Sequence, residues 1–288
     1  MGNPKNTLYP NFVLENMIEE LVASQLNLQS FVSVDNNLVG TPGMQVKINR
    51  YTATDATQNL EIGEGNDASI VASYTQEPYS IKLAQNRFEF YDEEVMTDPI
   101  AIETGVKKMA AGLFDKMNAD IYAEFMKTTQ TADGTTDVFD GFVDAQAQIN
   151  TENIDQASQT FAIIHPEDLA TVRKELKGTL QYNESYARQG YVGSVGDTPI
   201  YVKKNATQGT MVLANRNAVT LFVKTGTEVE NVDKNNRSET AANVRLNTLF
   251  SRKYYVAALT DETKAVKVTL PTSGNGGNGG NGGNGGNG

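Results

Sequence analysis

The sequence predicts an α+β fold. Three observations carry that prediction. Residues 44–48 and 79–90 alternate apolar and polar side chains, as half-buried strands do. Residues 99–127 repeat apolar side chains every three or four positions, as a long amphipathic helix does. From residue 160 onward a strand, a helix and five further strand segments follow one another, too mixed for a βα repeat.

Taken in order, Phe12, Leu14, Met17, Ile18, Leu21, Val22 and Leu26 lie at helical spacing, so a short helical segment is expected over 11–31. Gly40, Pro42 and Gly43 then break the chain. Met44, Val46 and Ile48 alternate with Gln45, Lys47 and Asn49, and alternation returns at Tyr79, Ile81, Leu83, Phe88 and Phe90. The polar stretch between these two strand regions, with Gly63 and Gly65, is longer than loops inside compact domains usually are. A long hairpin leaving the body is expected, and an arm of that kind buries too little of its own surface to stand alone.

Asp98 is a good N-cap and Pro99 suits the first helical position of the next segment. Ile102, Val106, Met109, Leu113, Met117, Ile121 and Phe125 form its apolar stripe. At 1.5 Å per residue, 99–127 spans about 43 Å, well beyond the mean globular helix. A coiled coil is the competing interpretation, although no charge ladder flanks the stripe. Residues 128–159 read as polar. Thr160–Ile164 is a short apolar strand, and Pro166 opens a helix with Glu167 and Asp168 in its first turn and Gly178 at its end. Strands are expected at Pro199–Lys203, Thr210–Ala214, Ala218–Lys224, Lys253–Leu259 and Ala265–Leu270, with a further helical stretch around Glu239–Phe250.

Composition narrows the chemistry. No Cys excludes disulfides, thiolate nucleophiles and thiolate metal sites, and one His excludes multi-His metal sites. The 24 basic against 35 acidic side chains, net −11, disfavour nucleic-acid binding through overall charge. No apolar run is long enough to span a membrane. The polar start of the chain carries no secretory pattern, so a cytoplasmic protein is expected. Gly63-x-Gly65 has no strand–helix setting for a nucleotide. His165, between a strand and a helix, reads as a junction or capping residue, with a ligand or catalytic role as the weaker alternative. Asp92, Glu93 and Glu94, and Asp137 with Asp140, read as solvated charge. No catalytic constellation emerges; an enzyme is not expected, nor a cofactor or metal. Residues 274–288 are five Gly-Asn-Gly units holding 10 of the 25 glycines. They read as a flexible end, or as a glycine-rich helix that would need neighbouring chains.

An N-terminal arm, a protruding two-stranded loop, a long helix, a compact α/β module and returning strands form an ordered series. That series resembles the major capsid proteins of tailed double-stranded DNA bacteriophages, the Hong Kong 97-type fold. Local stretches are similar too: Gly43–Ile48 to the strand entering the extended loop, KKMAAGLFDKMNADIYAEFM over 107–126 to the spine helix, FAIIHPEDL over 161–169 to the opening of the axial domain, and RKYYVAAL over 252–259 with KAVKV over 264–268 to late strands of the peripheral domain.

The resemblance implies an N-terminal arm (1–43), an extended loop (44–87), a peripheral domain (88–154 with 226–270) carrying the spine helix 99–127, an axial domain (155–225) and the Gly/Asn tail (271–288). It implies self-assembly into pentamers and hexamers of an icosahedral shell enclosing double-stranded DNA, with scaffolding and portal proteins as partners, assembly in the host cytoplasm, and no N-terminal scaffolding segment on this chain. Arg50 and Arg87 near the loop's base, and Glu61, Glu64 and Asp67 near its tip, become candidates for contacts between subunits; plain surface solvation is the alternative for each. Some family members join a loop lysine to an asparagine of another subunit. No lysine lies between Lys47 and Lys82, so no such crosslink is expected. An encapsulin-type compartment and a surface or adhesin protein with a glycine-rich tip remain alternative functions.

Overall fold

The computed structural model describes residues 27–53, 59–66, 69–97, 100–149, 160–175, 191–195, 198–232 and 245–271. Most of the helix expected over 11–31, the Asp98–Pro99 cap, Asp67, Gly178, residues 239–244 and the 274–288 tail lie outside the described residues. After a 3-10 turn at Leu28–Phe31 come β1 (Ser33–Asp35), β2 (Gln45–Ala53), β3 (Ala72–Ser80), β4 (Lys82–Tyr91), α1 (Asp92–Thr97) and α2 (Ile100–Phe125). Next come β5 (Thr131–Asp133), α3 (Val138–Gln148), β6 (Thr160–Ile164), α4 (Leu169–Glu175), β7 (Tyr191–Val195) and β8 (Thr198–Val202). The chain closes with β9 (Thr210–Asn215), β10 (Val219–Val223), β11 (Glu228–Val232), β12 (Leu246–Leu259) and β13 (Ala265–Thr269).

These elements form two units. The first takes the described parts of Met1–Thr128 and of Asn215–Lys264. Its sheet runs β1-β10-β12-β11, and the 14-residue β12 also pairs along its length with β4. Helix α2 buries Val106, Met109, Leu113, Met117, Ile121 and Phe125, the stripe expected from sequence. Two glycines let it approach β4 closely: a methyl on Gly105 would sit 2.5 Å from the Phe88 ring, and one on Gly112 would sit 3.2 Å from Asn86 Nδ2. Asn86 donates that amide to the Met109 carbonyl at 2.7 Å. Farther along, the buried Asn118 accepts the Leu28 backbone amide at 3.0 Å, and Tyr255 on β12 donates to Asp120 at 2.9 Å. The helix therefore serves as a rail to which the start of the described chain and the central strand are both tied.

The second unit takes the described parts of Thr129–Ala214 and of Ala265–Gly288. Its sheet has the order β5-β13-β9-β6-β8-β7. Val138, Phe142 and Ala145 of α3 and the following Ile149, spaced 4-3-4, pack on Ala162, Ile164, Met211, Leu213, Val266 and Val268 of the strands. The carboxylate of Asp137 caps α3 by accepting the Phe139 amide at 2.7 Å.

Three expectations need correction. The helical stretch around Glu239–Phe250 is, over its described part from Leu246, strand: Leu246 to Tyr255 pair residue for residue with Tyr91 to Lys82, and that ladder overrides local helical preference. The helix after Pro166 starts at Leu169, because His165–Asp168 close a turn in which Asp168 N donates to His165 O at 3.2 Å. Asp168 is then no surface dipole partner; it is buried and accepts the Gly209 amide at 2.8 Å. The 128–159 stretch read as polar holds β5 and α3.

Candidate assembly surface

Strands β2 and β3 pair over nine positions, Gln45↔Ser80 to Ala53↔Ala72, an arm of about 30 Å. Its entry is held by Lys224, whose Nζ donates to the carbonyls of Thr41 (2.8 Å) and Gly43. Pro78, unable to donate to a ladder, sits exposed on this two-stranded element. At its root the arm is seated: Tyr79 and Ile81 are buried with Val256 and Ala258, and Val46 and Ile48 pack against them. Beyond the root, every described side chain of β3 from Ala72 to Gln76 is exposed. Leu60, Ile62, Ile70, Val71 and Tyr74 are all exposed apolar groups on this outer half. Five large apolar side chains left exposed on one arm make it the candidate contact surface.

The boundary between the two halves falls at Arg50. Its Nη2 reaches Glu77 Oε2 at 3.0 Å and the Leu259 carbonyl at 2.9 Å, and its Nη1 lies 3.7 Å from Glu262 Oε2. The α2 side of the seat presents Glu124 and the following Lys127, paired at 2.7 Å, with Lys127 Nζ 5.3 Å from the centre of the Tyr79 ring. Burial, then the negative fields of Glu124 and Glu77, push the Tyr79 hydroxyl up to about 12 against the opposing pull of Arg50.

The candidates for subunit contacts are spread across the arm. Arg50, at the root, is engaged with its own chain as just described. At the tip, Glu64 Oε2 accepts the Glu61 amide at 3.4 Å around a turn in which Gly63 has φ +95°, a backbone setting that suits glycine. Asp67 lies outside the described residues. Arg87, on β4, pairs with Glu89 two residues along its own strand at 3.2 Å. His165 Nδ1 accepts the Glu167 amide at 3.1 Å, the capping contact its position suggested. Among the described residues no group of three or more His, Asp or Glu converges as a metal site, and no helix is long and apolar enough to cross a membrane. The apolar tip was missed from sequence, although Leu60, Ile62, Ile70 and Val71 inside a polar stretch were there to be read.

No family model matches the chain. It is 25% identical over 271 residues to the major capsid protein of Staphylococcus phage phiMR11, covering 92% of this chain and 94% of that protein. Among solved structures it is similar to the virus-like particle from Pyrococcus furiosus, with TM-score 0.62, 11% identity, and 91% of this chain and 100% of that chain covered. It is also similar to the capsid of Ralstonia phage GP4, with TM-score 0.63, 10% identity, and 86% and 89% covered. The fold is the Hong Kong 97-type capsid fold.

Proposed function

We propose that this chain is the major capsid subunit of a tailed double-stranded DNA bacteriophage, with a structural and not a catalytic role. The observation that carries it is near full-length similarity to a phage major capsid protein, joined to a capsid fold. Copies associate as pentamers and hexamers that close into an icosahedral shell, built with separate scaffolding and portal proteins in the host cytoplasm. The N-terminal arm is 1–43, the extended loop 44–87, the peripheral domain 88–154 with 226–270, and the axial domain 155–225.

The extended loop lies over a neighbouring copy. Its five exposed apolar side chains are what such a contact would cover, each returning about 1.5–3 kcal/mol when buried, before the cost of association. Glu61, Glu64 and Asp67 at the tip and Arg87 near the base supply polar contacts around that apolar patch. Arg50 contributes by orienting the loop as well as by any contact of its own. The net charge of −11 suits a lining along which packaged DNA slides.

The test is an arm-tip double substitution, Ile62→Asp with Tyr74→Asp, in co-expression with the phage's assembly proteins. Both side chains are exposed, so folding is expected to be unaffected while shell yield is lost. Shells at wild-type yield would refute the role given to the loop. Shells from infected cells that enclose protein cargo and no DNA would select the compartment alternative.

A further inference from the structure

The arm root holds a polar cluster centred on Arg50, and its bearing on the arm is independent of any neighbouring copy. We propose that Arg50 is a latch that locks the arm into a seat on the body of its own chain, with Glu262 as the body-side keeper, and that the seat is built to release. Arg50 stands where burial changes. On one side Val46, Ile48, Tyr79 and Ile81 are packed; on the other the β3 side chains are exposed. Its guanidinium joins three chain segments: β3 through Glu77, the end of β12 through the Leu259 carbonyl, and the turn beyond it through Glu262. A planar fork with several donors suits a bridge of this kind; a lysine could not hold all three.

The same seat carries a standing cost. Arg50 Nε and Glu124 Oε2 are buried with no hydrogen-bond partner. Opening the seat would hydrate both, a donor and an acceptor, so hydration favours release and the latch opposes it. Apolar packing at the root and the Arg50 bridges hold the arm down; the two unpaired atoms push it up. The arm's direction is thus set within one chain, before any neighbour is met.

Hydrogen exchange on the full-length, unassembled chain tests this. Arg50→Gln is expected to raise exchange of the 45–53 and 72–80 amides about 10-fold with α2 unchanged, and Glu262→Gln to do the same more weakly, as its 3.7 Å contact implies. Lys174→Gln, exposed on α4 and outside the seat, is expected to change nothing. Unchanged arm exchange in Arg50→Gln, or an equal rise in α2, would overturn the latch. The measurement needs no shell, so failure to assemble with a normal latch counts against the proposed function alone.

Discussion

Replacing Gly141 by alanine tests the packing of the second unit at its tightest point. Gly141 lies on the buried face of α3, and a methyl there would sit 2.5 Å from Gly134 Cα, 2.8 Å from Gly134 N and 2.9 Å from the Asp133 carbonyl. All three are backbone atoms, and that backbone is pinned by the 2.9 Å bond from Gly134 N to the Thr269 carbonyl. No rotamer change relieves the clash; the helix must lift from the sheet. Alanine gains about 1 kcal/mol of helix propensity. Overpacking costs about 1–3 kcal/mol and against fixed backbone falls at the upper end. The net is a loss of about 1–2 kcal/mol, or about 4–9 °C in the melting temperature of that unit. Gly105→Ala is the contrast, because its methyl meets the rim of the partly exposed Phe88 ring, which can turn aside, so its net effect is close to zero. Calorimetry on the unassembled chain reads both. A melting temperature that is unchanged or raised in Gly141→Ala, or a larger loss in Gly105→Ala, refutes the argument.

Three further outcomes are expected. Burial first, then Asp120, also raises the Tyr255 hydroxyl, so Tyr79 and Tyr255 both ionise later in the folded than in the unfolded chain; the stability this supplies is present in full below about pH 10 and, for Tyr79, is gone past about pH 12, and Tyr79→Phe flattens that loss in melting curves taken across the range. Asn118→Ala strands the buried Leu28 amide and is expected to cost about 1–3 kcal/mol in denaturant unfolding, with no loss at all being the contrary result. Denatured shells are expected to run as a single band near 31.3 kDa, since the loop has no lysine between Lys47 and Lys82, and a ladder of covalent oligomers would contradict it.

How far the sequence could be read depended on whether one element's own pattern decided the outcome. The spine helix was legible because Val106 to Phe125 repeat the same spacing for five turns; its C-terminal end falls at Phe125, two residues short of Lys127. Helix α3 carried an equally good 4-3-4 stripe from Val138 to Ile149, but Asp137, Asp140 and Asp144 beside it made the stretch look like loop. Residues 246–250 showed the opposite failure: their strand state comes from pairing with β4, some 155 positions away, which no local window contains. The arm was legible as an arm, from alternation around a long polar stretch. Its seat was not, because Glu77, Leu259 and Glu262 meet Arg50 only in the folded chain.

Electron microscopy of the purified protein tests the shell-forming role most directly. The account predicts closed icosahedral shells whose map shows the 44–87 loop covering a neighbouring subunit. A small discrete oligomer or a monomer with no closed shell would contradict it.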